Sequence, residues 1–231
     1  MPAALSDRST ALASLADPHA PRVMSPTGLR RWLEPRGLSW QLSTATEALG
    51  EWHRMGLVEK VRRGVYLNLR AAPRPTVDEA APLLRQGAVI SLQRVLGQAG
   101  VLNNPTDWVT SVLPMGQSRA VGKIVTDRHT FVFVGMRDDL VPTTDQAWAD
   151  DAYQPYAPVR TATPEKALLD WLYLAQVSPL WRMPPRQDID LEELDSDRLD
   201  RLAQAMGLEA PLHAFRVGKP APQQRPRRHR P

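Results

Sequence analysis

The chain has 231 residues, of which 42% are hydrophobic and 23% are charged, and it contains no cysteine. This composition is typical of a soluble globular protein, the length suggests two small domains, and the lack of cysteine excludes disulfides, thiolate metal ligands and a cysteine nucleophile. No apolar run approaches the roughly 20 residues that span a bilayer, and the first residues lack a secretory pattern. We therefore expect a cytoplasmic protein with no membrane partner.

The net charge of +4 is unevenly distributed along the chain. Residues 1–70 carry +4 and residues 215–231 carry +6, whereas residues 71–176 carry −2 and residues 177–214 carry −4. Basic ends around an acidic middle indicate a nucleic-acid contact at one or both ends and a different role for the middle. The alternative is a basic surface that is simply solvated.

The first predicted elements are two short helices separated by an extended segment. The first helix covers residues 4–17, and the extended segment covers residues 21–25. The second helix has Ser25 in the N-cap position and Pro26 in the first helical position, and Gly37 follows its end. This arrangement is typical of a well-defined helix start and stop.

A third helix and a hairpin follow. Apolar residues recur every three or four positions from 45 to 55, and Thr44 and Glu47 have the spacing of a capping box, which predicts a helix start at Thr44. The stretch GLVEKVRRGVYLN, residues 56–68, then predicts two strands joined at Gly64, which can adopt a positive φ in the turn.

Helix, short strand, helix, turn, helix and hairpin, in this order, are the layout of a winged helix-turn-helix domain, which we assign to residues 1–72. Such a domain places its last helix in the major groove of DNA and rests its hairpin, the wing, on the adjacent backbone. The same layout also serves as a protein–protein module, which is the alternative.

The predicted contacts to double-stranded DNA are basic and hydroxyl side chains of this domain. The wing cations would bind phosphates, two threonines at the start of the third helix would reach base edges, and the remaining arginines would contact the backbone. The candidate DNA-binding residues are Lys60, Arg62, Arg63, Thr44, Thr46, Arg54, Arg30, Arg31 and Arg36. Glu47 and Glu51 on the third helix are unfavourable among phosphates, so the wing should supply the main electrostatic anchor.

A proline-rich segment at residues 71–82 predicts a domain boundary near residue 73. Residues 73–214 are then a mixed α/β domain with two helices at 76–87 and 91–101, the second capped by Ser91. Strands are expected at 107–114 and within 122–135, with a turn at 127–129.

Two further helices complete this domain. One covers residues 161–175, with Thr163 as its cap and Pro164 in the first helical position. The other is acidic, begins with Ser196 as its cap and ends at Gly207. Residues 215–231 are rich in proline and arginine without apolar periodicity, so we expect a disordered basic tail. The predicted class is thus α+β: a winged helix-turn-helix, a mixed α/β domain and this tail.

Three segments resemble a known family when taken together: ALGEWHRMGLVEKVRRGVYLN, GAVISLQRVLGQAGV and VRTATPEKALLDWLYLA. They are similar to AbiEi-type antitoxins of type IV toxin–antitoxin systems over roughly residues 25–176. The resemblance implies a transcriptional autoregulator that represses its own operon at inverted repeats. It also implies antitoxin activity against a nucleotidyltransferase-like toxin, without a stable complex. Relatives without a toxin exist, so a stand-alone regulator is the alternative.

Enzymatic interpretations are weaker, and we assign no catalytic residue, metal site or cofactor. The stretch GQSRAVGKI departs from a phosphate-binding loop in its glycine spacing and has Ile124 where a Mg²⁺-binding hydroxyl is required. The pairs Asp138–Asp139 and Asp150–Asp151 leave a metal-dependent nuclease as a remote alternative. Glu165 and Lys166 belong to the first turn of their helix, or alternatively to a surface directed against a toxin.

Overall fold

The computed structural model describes residues 3–116, 121–142, 146–183 and 185–218, which form an α+β protein with two sheets. The predicted α+β class is therefore confirmed. The described residues fall into two compact units: the first contains residues up to 86 together with 125–129, and the second contains the others. Within the described ranges, no helix is both long and apolar enough to cross a bilayer.

The first unit holds a three-stranded antiparallel sheet in the order β1-β3-β2 and four α-helices among its described residues. Its elements are α1 (Ala3–Ser14), β1 (Val23–Met24), α2 (Pro26–Leu33), a 3-10 turn (Glu34–Arg36), α3 (Leu42–Arg54), β2 (Val58–Arg62), β3 (Val65–Asn68), a second 3-10 turn (Val77–Ala80) and α4 (Ala81–Leu84).

Local sequence signals account for the ends of several of these elements. The amide of Gly28 donates to Ser25 Oγ at 3.0 Å, so the predicted N-cap of α2 is confirmed. Gly37 ends the following 3-10 turn with φ 78°, and Gly64 takes φ 82° between β2 and β3. At such positive φ angles a side chain would be strained, which explains glycine at both turns.

The predicted capping box at Thr44 is wrong. The helix α3 begins two residues earlier, at Leu42, with Gln41 in the N-cap position and no side-chain cap. Thr44 is consequently the third helical residue, beyond the position from which a side chain caps the first amides. Glu47 does not reach back to the start of the helix but forms an ion pair with Arg8 at 3.4 Å.

One apolar face of α3 fills the core of the first unit. Its buried residues Ala45, Ala48, Leu49 and Trp52 pack with side chains of α1, α2 and the sheet. Trp52 is 2% exposed and lies against Trp40, with ring centroids 6.1 Å apart. Because burial of a large apolar side chain contributes about 1.5–3 kcal/mol, this face holds the polar face of α3 outward.

A buried asparagine connects the end of α1 to the sheet. The side-chain nitrogen of Asn68 donates to the carbonyl oxygens of Leu15 at 2.8 Å and Pro21 at 3.2 Å. Its side-chain oxygen accepts from the amide of Arg70 at 3.1 Å. Asn68 is fully buried, so these hydrogen bonds satisfy polar groups that water cannot reach.

The proline-rich segment belongs to the first unit, so the division lies after residue 86 and not near residue 73. Arg22 donates to both carboxylate oxygens of Glu79, at 2.7 and 2.9 Å, and to the carbonyl of Pro73 at 2.6 Å. Glu79 is nearly buried, and its hydrogen bonds raise the pKa of Arg22. A bidentate arginine–carboxylate pair of this kind fixes the segment onto the unit.

The second unit contains a four-stranded sheet in the order β4-β5-β7-β6, in which β4 and β5 are antiparallel and β5 and β7 are parallel. Its elements are β4 (Val89–Ile90), α5 (Gln93–Gln98), β5 (Val109–Pro114), β6 (Gly122–Val125), β7 (Thr130–Met136), a 3-10 turn (Asp138–Leu140), α6 (Ala149–Ala152), α7 (Pro164–Val177), a 3-10 turn (Arg186–Asp188), α8 (Ser196–Met206) and α9 (Glu209–Arg216).

Several predicted elements of this unit are confirmed. Strands form at 109–114, 122–125 and 130–136, and Thr163 Oγ1 caps α7 by accepting from the amide of Lys166 at 3.3 Å. Gly207 ends α8 with φ 67°. The predicted helix at 76–87 is reduced to a 3-10 turn and the four residues of α4.

Two predicted caps and the start of the tail are wrong. Asp195, not Ser196, caps α8, because its carboxylate accepts from the amide of Arg198 at 3.0 Å. Ser91 does not cap α5, which starts at Gln93; its hydroxyl instead donates to a buried carboxylate described below. The predicted tail overlaps α9, which continues to Arg216, whereas residues 219–231 lie outside the described residues.

Candidate functional site

The polar face of α3 and the hairpin that follows it form the strongest candidate site. Thr46, Gly50 and His53 recur at helical spacing on the side opposite the buried residues, and Thr46 and His53 are exposed. His53 Nδ1 lies 3.3 Å from the carbonyl of Val58 and 3.4 Å from the amide of Lys60. The helix therefore presents this stripe next to β2.

The hairpin β2–β3 carries three exposed cations, which we call the basic hairpin: Lys60, Arg62 and Arg63. No residue in the described ranges forms a hydrogen bond or an ion pair with their charged groups. Val58, Val61 and Val65 are buried beneath them. Along β2, Val58 and Val61 are buried whereas Lys60 and Arg62 are exposed, so the hairpin directs unneutralised positive charge to solvent.

Arg8 of α1 neutralises the carboxylates of Glu47 and Glu51, whose negative charges would otherwise repel the phosphates of DNA. Its guanidinium donates to Glu51 at 2.9 Å and to Glu47 at 3.4 Å. Thr44, Glu47 and Glu51 share a flank of α3 at spacings of three and seven residues, and this flank adjoins the Thr46–His53 stripe. Sequence reasoning missed Arg8 because its partners lie some forty positions further along the chain.

The predicted contacts near the start of α3 occupy different positions. Thr44 is half-buried on the Arg8 flank, so the structure separates it from the stripe. Thr46 is exposed on the stripe, and its hydroxyl donates to the carbonyl of Leu42 at 2.8 Å, which leaves its oxygen able to accept. Arg54 is exposed at the end of the same face. Thr46 and Arg54 are therefore exposed on the same side of α3 as His53, the residue that contacts β2, and Thr44 lies on the Arg8 flank.

Two arginines of the α2 region make contacts within the protein, and the third is free to contact DNA. Arg36 lies over the ring of Trp32, 3.2 Å from its centroid, and its guanidinium is 3.5 Å from the carboxylate of Asp17. Arg30 donates to the carbonyl of Trp40 at 2.8 Å, which fixes the turn before α3. Arg31 is exposed without a hydrogen bond to any described residue. Of these three predicted contacts, Arg31 has the least structural role.

A turn within the first unit places further polar groups beside β2. His129 Nε2 lies 3.0 Å from Glu59 Oε1, and Arg128, whose side chain is 76% exposed, lies 4.0 Å from the same oxygen. The predicted turn at 127–129 is confirmed, because Thr126 and His129 hydrogen-bond across it. Its position beside Glu59 could not be inferred from the sequence, since the two segments are about seventy residues apart.

A second polar cluster is buried in the other unit and consists of Ser91, Lys166 and Asp170, which we call the buried triad. The carboxylate of Asp170 pairs with Lys166 and accepts from Ser91 Oγ at 2.6 Å. Burial lowers the pKa of Lys166 and raises the pKa of Asp170, and each is opposed by the partner's charge. All three residues are at most 1% exposed, so the triad holds α7 in place and offers no surface.

Glu165 is likewise internal. It is 3% exposed, accepts from the amide of Asp195 at 2.9 Å and lies 3.7 Å from Arg198, so it anchors the start of α8. The alternative that Glu165 and Lys166 form a surface against a toxin is therefore wrong. Their burial was invisible in the sequence because their partners come from other elements.

In each acidic pair considered for a nuclease, one carboxylate is bound by an arginine. Arg137 donates to Asp139 and lowers its pKa, and Arg201 donates to Asp151 at 2.9 Å with the same effect. Asp138 accepts from the amide of Gly116 at 3.2 Å. In the part of the chain that the structure describes, no three His, Asp or Glu residues are grouped to hold a metal ion. Four of the nine residues in the stretch compared with a phosphate loop, residues 117–120, lie outside the described residues.

Comparison with known proteins bears on the fold and not on the function. No protein-family model and no curated protein matches the chain. Among solved structures, the RV2827C protein from Mycobacterium tuberculosis is similar, with a TM-score of 0.51 and 14% sequence identity. The match covers 94% of this chain and 83% of that protein. At this identity the likeness shows a shared fold only.

Proposed function

We propose that this protein is a DNA-binding transcriptional regulator that represses its own promoter, and that residues 3–69 act as a winged helix-turn-helix. One observation carries the proposal: a helix with an exposed polar stripe lies beside a hairpin whose three cations have no partner among the described residues. A polar helix of this width fits the major groove, and unpaired cations beside it suit the flanking phosphates. In this assignment α3 is the recognition helix and the basic hairpin is the wing.

The proposal is tested with the full chain and the DNA upstream of its own gene. Footprinting should show protection of inverted repeats in that DNA, and the affinity should fall steeply with salt because bound cations release counterions. A scrambled duplex of the same length and base composition is the matched control. Equal affinity for both duplexes at physiological salt would contradict sequence-specific regulation. Binding to neither duplex would contradict the assignment of a DNA-binding domain.

Arg8 should support DNA binding without touching DNA. Arg8→Ala exposes the charges of Glu47 and Glu51 next to the phosphates, so we expect affinity to fall about threefold to tenfold. The free energy of unfolding should change by only about 0–1 kcal/mol, since both ion pairs are near the surface. Titration of labelled operator DNA by fluorescence anisotropy measures the affinity.

Two further variants isolate this effect. Arg216→Ala removes the same charge by breaking the 2.7 Å pair with Asp200 in the second unit, and it should leave affinity unchanged. Adding Glu47→Gln and Glu51→Gln to Arg8→Ala should restore binding. If the triple variant remains as weak as Arg8→Ala, charge neutralisation is not the role of Arg8.

The resemblance to AbiEi-type antitoxins extends the proposal to antitoxin activity against a nucleotidyltransferase-like toxin. The burial of Glu165, Lys166 and Asp170 means that the family-like segment TPEKALLD would act by shaping its unit, and that any surface directed at toxicity lies elsewhere. To test this activity, the full chain is produced in cells that express a nucleotidyltransferase-like toxin encoded by a neighbouring gene. Restored growth would support antitoxin activity. If the protein represses its promoter but does not restore the growth of cells that express the toxin, it is the stand-alone regulator.

A further inference from the structure

Gly50 occupies the centre of the polar stripe of α3, where a glycine has no evident structural purpose. The helix continues without interruption from Leu42 to Arg54, and Gly50 lies between Thr46 and Arg54 at spacings of four residues. A Cβ atom built on Gly50 would meet no atom within 4 Å. The space above this position is therefore open in the isolated protein.

Glycine in a helix interior is destabilising relative to alanine, because it has the largest loss of backbone freedom on folding. Other glycines of this chain have a clear reason. Gly64 adopts a positive φ, and a Cβ on Gly97 would lie 2.4 Å from Cβ of Pro105. Gly50 has ordinary helical geometry and no close neighbour, so nothing in the described structure requires it.

We propose that Gly50 is the point of closest approach between α3 and DNA, where base-pair edges of the major groove leave no room for a side chain. This inference rests on the DNA-binding function proposed above. Glycine is the residue that permits a backbone to approach a ligand closely. The flanking stripe residues Thr46 and His53 are polar and are suited to contact base edges. Gly50 would thus set the depth to which the helix enters the groove.

The inference predicts opposite effects of one substitution on stability and on binding. Gly50→Ala should raise the melting temperature by about 2–4 °C, the shift expected for a small stability gain in a chain of this size. It should also weaken operator binding about tenfold. The slope of log affinity against log salt should stay unchanged, because no phosphate contact is removed. Gly50→Gln should weaken binding further.

Melting curves and salt-dependent anisotropy titrations on the full chain supply both measurements. Ala205→Gly, at an exposed position of α8, is the matched control: it alters helix stability by a similar amount in the opposite direction and should leave affinity unchanged. Gly50→Ala binding as tightly as wild type, or melting at a lower temperature, would overturn the close-approach role. Wild-type protein that binds no DNA would instead overturn the proposed function on which it rests.

Discussion

Changing Arg62 and Arg63 together to alanine should weaken promoter binding on the order of tenfold or more at moderate salt and reduce the salt slope by about 2, since each phosphate contact contributes close to 1 to that slope. Both guanidinium groups lie on the exposed side of the hairpin without a partner among the described residues. Their replacement removes no internal contact, so the fold should persist. Electrophoretic shifts at several salt concentrations measure affinity and slope together.

The matched control for this variant removes the same charge from the other end of the hairpin. Arg70 and Arg74 are exposed and follow β3 in the chain, away from the turn at Gly64. Arg70→Ala with Arg74→Ala should therefore change affinity much less and leave the slope near its wild-type value. Equal losses in the two variants would indicate a general effect of net charge, and an unchanged slope for Arg62→Ala/Arg63→Ala would remove the wing from the interface.

Lys166→Met should have the largest effect on stability, a loss of about 3–5 kcal/mol in the free energy of unfolding, because it leaves the buried carboxylate of Asp170 without its counter-charge. Asp170 is completely buried and would retain only its hydrogen bond from Ser91. For a chain of this size the melting temperature should fall by about 6 °C or more. Chemical denaturation followed by circular dichroism gives the free energy directly.

Removing the whole buried triad should cost much less than removing one member. In Ser91→Ala/Lys166→Met/Asp170→Leu the buried charges are replaced by apolar groups of related size, an exchange that is often neutral or stabilising. Lys60→Met, which truncates an exposed lysine charge, is the control and should be nearly neutral. If Lys166→Met and Lys60→Met unfold at the same denaturant concentration, the ion pair between Lys166 and Asp170 does not stabilise α7.

The features that sequence reasoning predicted well are those that depend on neighbouring residues. Ser25 and Thr163 cap their helices because each meets an amide three positions ahead. Gly64 and Gly207 adopt positive φ because a turn or a helix end requires it locally. The short apolar segments on either side of Gly64 likewise predicted the hairpin that β2 and β3 form.

Two of the wrong predictions, the caps at Thr44 and Ser91, share a different cause, which is competition from distant partners. Glu47 was expected in a capping box but is paired with Arg8, 39 positions away. Ser91 was expected as a cap but donates to Asp170, 79 positions away. Both side chains have the right local spacing, yet a stronger charged partner is available only after the chain has folded. Sequence spacing alone does not contain this information.

The residues of the candidate site divide in the same way, into those that a local pattern predicts and those that depend on distant partners. The cations of the basic hairpin could be named from the sequence, since a charged turn between two apolar strands is a local pattern. Arg8 and Gly50 could not, because their significance depends on which flank of α3 faces α1 and which faces β2. A helical wheel places residues on flanks but does not assign those flanks to neighbours.

The hydrogen bonds of Asn68 should couple the opening of α1 to that of β3. A helix end that is held only by its own hydrogen bonds frays, so its amide protons exchange with solvent through small local openings. Here the carbonyl of Leu15, just after α1, is held by the buried amide of Asn68, and separation would leave polar groups without partners. The last turn of α1 should consequently exchange its amide protons together with β3, in the same cooperative opening.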